Sequence, residues 1–124
     1  MENKKIVLID DDETLREIFS MGLRQAGFLV EEALDGKDGL AKTKAILPAL
    51  VLLDVVMPKL DGFELLAAIK KGSTTKDIPV IMLTNLVHED DHEEALRLGA
   101  IDYIVKASVT PSQLAERVKQ YLEK

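Results

Sequence analysis

A chain of 124 residues, 47% hydrophobic and 31% charged, has room for one domain that buries about two-thirds of its unfolded surface, and not for two. The absence of cysteine excludes disulfides, thiolate metal sites and a cysteine nucleophile. Sixteen basic against 22 acidic residues, a net charge of −6, and no Trp with only three Phe and two Tyr argue against a nucleic-acid or anionic-membrane surface, which needs cationic charge and stacking rings.

In chain order, the first apolar run (5–9) is rich in Ile, Val and Leu and stops at Asp10-Asp11-Asp12. Polar residues follow it where a signal peptide needs small ones, and no run approaches the roughly 20 apolar residues that span a bilayer. A soluble cytoplasmic chain is expected. Leu15, Ile18, Phe19, Gly22 and Leu23 then make a helical stripe with Gly27 beyond its end. The second run (28–33) contains Glu31 and Glu32 and reads as a strand near an edge. A weaker stripe follows from near Asp35, through Leu40, Ala41, Lys44 and Leu47.

The third run (50–53) ends at Asp54; Met57-Pro58 and Asp61-Gly62 read as loop rigidity and a turn. Phe63, Leu66, Ala67 and Lys70 suggest the next helix, closed by Gly72. The fourth run (79–83) ends at Thr84, and Ala95, Leu98 and Gly99 close a short helix. The fifth (101–105) ends at Lys106; Thr110-Pro111 then offers a cap and a first-turn proline before Leu114, Val118, Tyr121 and Leu122.

Four of the five runs lack polar alternation, as strands buried on both faces do. Strand and helix alternating five times predict an α/β fold: a five-stranded parallel sheet, doubly wound, with helices on both faces. One domain over residues 1–124 with no output domain is expected. Ligands of such a sheet bind beyond the carboxyl ends of its strands, where the strand order reverses. Those ends carry Asp10-Asp11-Asp12, Asp54, Thr84 and Lys106.

Carboxylates about 5 Å apart repel by about 3 kcal/mol at an effective dielectric of 20, so a cation is expected among them. Oxygen ligands without His or Cys select a hard ion, Mg²⁺ foremost. Lys106 offers a counter-charge and Thr84 a hydroxyl. A carboxylate nucleophile beside such groups suits in-line phosphoryl transfer.

Ile6-Val-Leu-Ile-Asp-Asp-Asp, Leu52-Leu-Asp54-Val-Val-Met-Pro58, Asp61-Gly62, Val80-Ile-Met-Leu-Thr84 and Asp102-Tyr-Ile-Val-Lys106 resemble the receiver domains of two-component response regulators, in order and spacing over essentially the whole chain. The resemblance implies a flavodoxin-like (βα)5 sandwich that acts as a phosphorylation switch and not as an enzyme, catalysing only its own phosphorylation and dephosphorylation. It implies that Asp54 accepts a phosphoryl group from the phosphohistidine of a sensor kinase or a histidine phosphotransfer protein. Asp11 and Asp54 would bind Mg²⁺ directly, Asp10 through water and Val56 through its backbone carbonyl. Thr84 and Lys106 would hold phosphoryl oxygens, and Tyr103 would change exposure on activation. The fourth helix, fifth strand and fifth helix would contact a downstream protein, the chain being a monomer or weak dimer. Two positions depart from the family's usual pattern: Ala107 stands where proline commonly follows the lysine, and Asn85 where a small residue commonly follows the threonine.

Other readings compete. Asp12 alone reads best as a helix cap. His88-Glu-Asp-Asp-His92 matches a zinc-protease motif by letter, but its acidic setting and lack of a third ligand favour a solvated helix start. Asp10-x-Asp12-x-Thr14 also resembles haloacid dehalogenase-like phosphatases, with Asp10 as nucleophile. That reading needs acids in a loop beyond the lysine, where only Glu116 and Glu123 follow, and it leaves Asp54 unexplained. A pseudo-receiver that binds a partner without phosphorylation is the third alternative.

Overall fold

Successive strand residues face opposite sides of a sheet, and in this chain both sides are apolar. The computed structural model describes residues 4–123; residues 1–3 and 124 of the expected domain lie outside the described residues. Strands β1 (Lys5–Ile9), β2 (Leu29–Ala33), β3 (Leu50–Leu53), β4 (Val80–Thr84) and β5 (Asp102–Val105) form one parallel sheet in the order β2-β1-β3-β4-β5. The helices are α1 (Glu13–Gln25), α2 (Gly36–Ile46), α3 (Gly62–Lys71), α4 (Glu89–Arg97) and α5 (Pro111–Leu122), and a single 3₁₀ turn covers Lys106–Ser108. This is the doubly wound flavodoxin-like sandwich expected of the sequence.

Ile6, Leu8, Leu50, Leu52, Ile81 and Leu83 pack on one face against Phe19 and Leu23 of α1 and Leu114 and Val118 of α5. Val7, Ile9, Val51, Leu53, Val80 and Met82 pack on the other against Leu65, Leu66 and Ile69 of α3 and Ala95 of α4. Each such buried side chain contributes about 1.5–3 kcal/mol. The two layers bury β1, β3 and β4 between them. β2 is an edge strand, as its two glutamates suggested.

Two helical stripes differ from expectation. In α1, Ile18 is exposed while Arg16 and Ser20 are buried, because both bind Glu32 of β2. In α2 the inward residues are Gly36, Gly39 and Thr43, and Leu47 is exposed at the cap. The helix lies so close to β1 that a Cβ on Gly39 would come within 2.6 Å of Ile9 Cδ1, so small residues face the sheet. The helix starts were legible: Asp12, Asp35, Asp61 and Thr110 each accept a hydrogen bond from the first turn of their helix.

The chain leaves β1 toward β2 on one side and returns to β3 on the other. The crevice this opens lies above the adjacent ends of β1 and β3, where Ile9 is in register with Leu53.

Candidate functional site

Asp10 and Asp54 are the first residues beyond those two paired ends. The ladder extends through them: Asp10 N–H donates to Ala33 O and Asp54 N–H to Ile9 O, each at 3.1 Å. Both side chains are buried. Asp10 Oδ1 accepts from Asp12 N–H at 2.9 Å, and Asp54 Oδ1 accepts from Val55 N–H at 2.7 Å and Val56 N–H at 3.4 Å. One oxygen of each carboxylate is thus fixed by its own loop.

The remaining oxygens share a cation from across the sheet. Lys106, at the end of β5, reaches past β4 and donates from Nζ to Asp54 Oδ2 at 2.7 Å. Asp10 Oδ2 lies 2.6 Å from the same Nζ, yet the contact lacks hydrogen-bond geometry and Asp10 Oδ2 is left without a hydrogen-bond partner. It is an ion pair only. Burial pushes the Asp10 carboxyl above the ordinary aspartate range, an effect the Lys106 ammonium and Asp12 N–H offset in part and the Asp54 charge reinforces. Burial alone would lower the Lys106 ammonium, but its contacts to Asp10 and Asp54 prevail and raise it.

Asp11 is exposed, and one oxygen from each of Asp10, Asp11 and Asp54 lies within 4.8 Å of the others. Three carboxylates against one ammonium leave the pocket negative, with a buried carboxylate oxygen short of a donor. This donor set fits a hard divalent cation. No other cluster of three such groups occurs among the described residues.

A depression of about 450 Å³ opens here, lined by Asp11, Asp54, Val56, Thr84, Asn85 and Lys106 among others. Asp10 does not line it. A somewhat larger depression of about 570 Å³ beside β2, lined by Lys5, Phe28, Leu29 and Ile46 among others, gathers no comparable set of functional groups. The Thr84 hydroxyl is buried and accepts from Leu86 N–H at 3.3 Å. Val56 is exposed at the rim. Of the site residues picked from the sequence, Asp11, Asp54, Val56, Thr84 and Lys106 thus line this depression, Asp10 joins them through its ion pair with Lys106, and Tyr103 stands apart.

Tyr103 stands on β5, in register with Met82. Its ring is buried and stacks on His92 of α4, with centroids 4.9 Å apart. Its hydroxyl donates to Leu86 O at 2.9 Å, so the backbone of Leu86 bridges Thr84 and Tyr103. The ring expected to change exposure on activation is buried here. His88 and Glu89 are exposed at the start of α4, the solvated helix start expected for the zinc-like motif.

Two contributors escaped the sequence reading. Arg16 is buried, donates to Asp10 O at 2.8 Å and pairs with Glu32 at 3.1 Å; it pins the loop that carries the acids. An acidic pair inside β2 was the signal for a buried cation nearby. Asn85 accepts from Ala107 N–H at 3.2 Å, linking the loops after β4 and β5. No peptide bond among the described residues is cis.

Comparison with known proteins agrees with this geometry. The family model described as "Response regulator receiver domain" matches residues 6–119. The "Probable transcriptional regulator ycf27" of Porphyridium aerugineum is 40% identical over all of this chain and 50% of its own length. The chain spans about half the length of the curated ycf27 relatives it matches. The CheY-like receiver domain protein of Methanospirillum hungatei superposes with a TM-score of 0.90 at 31% identity, covering 98% of this chain and 95% of that one. Chemotaxis protein CheY4 of Vibrio cholerae gives 0.88 at 31% identity, covering 95% and 98%. A doubly wound sheet with this acid pocket, matched over nearly its whole length, places the chain in the response regulator receiver domains, the phosphorylation-dependent switches of two-component signalling.

Proposed function

We propose that Asp54 is the phosphoacceptor, taking the group from a phosphohistidine of a sensor kinase or histidine phosphotransfer protein. The carrying observation is that Asp54 is the buried carboxylate that opens onto the cavity, beside both Thr84 and Lys106. A carboxylate oxygen of Asp54 attacks phosphorus as the bond to the histidine nitrogen breaks, and the leaving imidazole keeps the electron pair. Lys106 supplies an ammonium to the incoming phosphoryl oxygens once it relaxes its hold on Asp54. Thr84 turns its hydroxyl from Leu86 N–H toward the same group. Asp10, held away from the opening and paired with Lys106, is poorly placed as a nucleophile, which disfavours the phosphatase alternative.

Asp11, Asp54, the carbonyl of Val56 and, through water, Asp10 would hold Mg²⁺. The ion supplies positive charge against the charge on the transferring phosphoryl group. The chemistry is the domain's own phosphorylation and dephosphorylation, and it turns over no separate substrate.

Movement of Thr84 would disturb Leu86, and through it the hydroxyl of Tyr103, carrying the state of Asp54 to α4, β5 and α5 and so to a protein partner. No helix among the described residues is long and apolar enough to cross a membrane, and a cytoplasmic setting alongside a kinase follows from the proposed chemistry.

Intact mass after incubation with acetyl phosphate and Mg²⁺ tests the assignment in wild type, Asp54→Asn and Asp10→Asn. One phosphoryl group is expected in wild type, none in Asp54→Asn, and none in wild type with a chelator. Label that survives Asp54→Asn and disappears in Asp10→Asn would overturn the assignment in favour of the phosphatase reading.

A further inference from the structure

The ladder between β4 and β5 ends at the pair Thr84 and Val105. Beyond it the two loops diverge, and they carry the two groups that must meet on one phosphoryl group, the Thr84 hydroxyl and the Lys106 ammonium. Among the described residues, a single hydrogen bond joins the segment just after Thr84 to the turn that begins at Lys106: Ala107 N–H to Asn85 Oδ1, at 3.2 Å. The bond needs both, because an alanine at 107 has an N–H that a proline lacks, and a small residue at 85 would not carry a side-chain amide.

Lys106 is thereby held at both ends. Its ammonium is anchored on Asp10 and Asp54, and its backbone is tied through Ala107 to Asn85, which itself lines the cavity. In phosphoryl transfer the first anchor must loosen as Asp54 becomes esterified, and the second then decides where the ammonium stays. The cation-binding carboxylates stand on the loops after β1 and β3, and none of their hydrogen bonds involves Asn85.

We infer that Asn85 is a positioning residue for phosphoryl transfer: its clasp on Ala107 N–H keeps the Lys106 turn against the Thr84 loop. The inference rests on Asp54 being the acceptor. In the test reaction a carboxylate oxygen of Asp54 attacks phosphorus of acetyl phosphate, the phosphorus–oxygen bond breaks, and acetate leaves with the electron pair.

The test is the single-turnover rate of labelling at saturating acetyl phosphate, with its Mg²⁺ midpoint, on the full chain. The proteins are wild type, Asn85→Ala, Ala107→Pro and the double variant. The maximal rate should fall two- to tenfold in Asn85→Ala, the worth of one net hydrogen bond, with the Mg²⁺ midpoint unchanged. Asn85→Ala should cost nothing further in Ala107→Pro, where the donor is already gone. Because the Asn85 side chain is at the surface, Asn85→Ala alone decides if Ala107→Pro does not fold. A wild-type rate in Asn85→Ala overturns the inference, as does an equal fall in both backgrounds. Labelling that persists in Asp54→Asn instead overturns the acceptor assignment beneath it.

Discussion

The two halves of the crevice are built differently. The carboxylate half hangs on β1 and β3, neighbouring strands at the centre of the sheet with apolar side chains packed on both faces. Backbone bonds carry Asp10 and Asp54 out of the ladder, Arg16 pins the loop behind Asp10, and α3 abuts so closely that a Cβ on Gly62 would fall 2.2 Å from Asp54 O. The donor half hangs on β4 and β5, and beyond the ladder it is held by isolated bonds: Leu86 N–H to Thr84, Tyr103 hydroxyl to Leu86 O, Ala107 N–H to Asn85. The proposed cation site needs fixed geometry before an ion arrives, whereas a switch needs groups that can move once a phosphoryl group arrives. The fold supplies the first and side-chain bonds supply the second.

Lys106 crosses between the halves, and removing it is the harshest way to break the distinction. Lys106→Met leaves two buried carboxylates without their cation and should cost about 3 kcal/mol at pH 7 in a urea titration. The deficit should shrink as pH falls, because Asp10, whose pKa is raised in the folded state, takes up a proton. It should shrink again as pH rises through the raised Lys106 pKa, since stabilisation from a raised ammonium is complete below its unfolded value and lost above its folded one. A loss below about 1 kcal/mol at neutral pH would show that the backbone alone orders the acids.

Asp10→Asn sharpens the comparison in the opposite direction. A carboxyl whose folded pKa is raised disfavours folding at every pH where it is ionised. The neutral isostere should therefore raise Tm by a few degrees in metal-free buffer at pH 7. That advantage should vanish as pH falls through the folded pKa of Asp10 and the wild type becomes neutral there too. The same variant should lose much of the stabilisation that Mg²⁺ gives the wild type, because a ligand stabilises only the state that binds it. Equal melting temperatures at pH 7 would mean that the Lys106 pair already compensates the buried charge in full.

How far the site was legible in the sequence follows the same division. Asp10, Asp11, Asp54, Thr84 and Lys106 could be placed because the apolar runs 5–9, 50–53, 79–83 and 101–105 mark where strands end, and residues at strand ends of a doubly wound sheet share one crevice. Helix starts were legible because capping is local: Asp61 and Thr110 act within three residues of themselves. Arg16 was hidden because its partner Glu32 is 16 positions away, and a charged residue beside Leu15 reads as solvated until the strand opposite is known. The α2 stripe was misassigned because Gly39 and Thr43 face the sheet for lack of room, and hydrophobic periodicity does not register tight approach by small residues. The Asn85–Ala107 bond spans 22 positions, and nothing in either segment alone announces it.

The mildest test concerns Tyr103, whose hydroxyl is the last bond of the donor half. Tyr103→Phe keeps the ring, and with it the stack on His92, but removes the donor to Leu86 O. Because Leu86 is half-buried, its freed carbonyl can reach water, and the loss should be about 1 kcal/mol. Burial first, then the charges of Asp91 and Asp54, raises the Tyr103 pKa above the usual phenol range. The hydroxyl therefore stays protonated and keeps donating throughout neutral and mildly alkaline pH. The stability gap between Tyr103→Phe and wild type should accordingly be flat below about pH 9 and close as pH rises through the folded pKa of the phenol. The Mg²⁺ midpoint should not move, since neither Asp10 nor Asp54 hydrogen-bonds to Leu86. A shift in that midpoint would show that the two halves are coupled through the loop after β4 even before a phosphoryl group is present, and the cation would then bias the same element that the phosphoryl group is proposed to move.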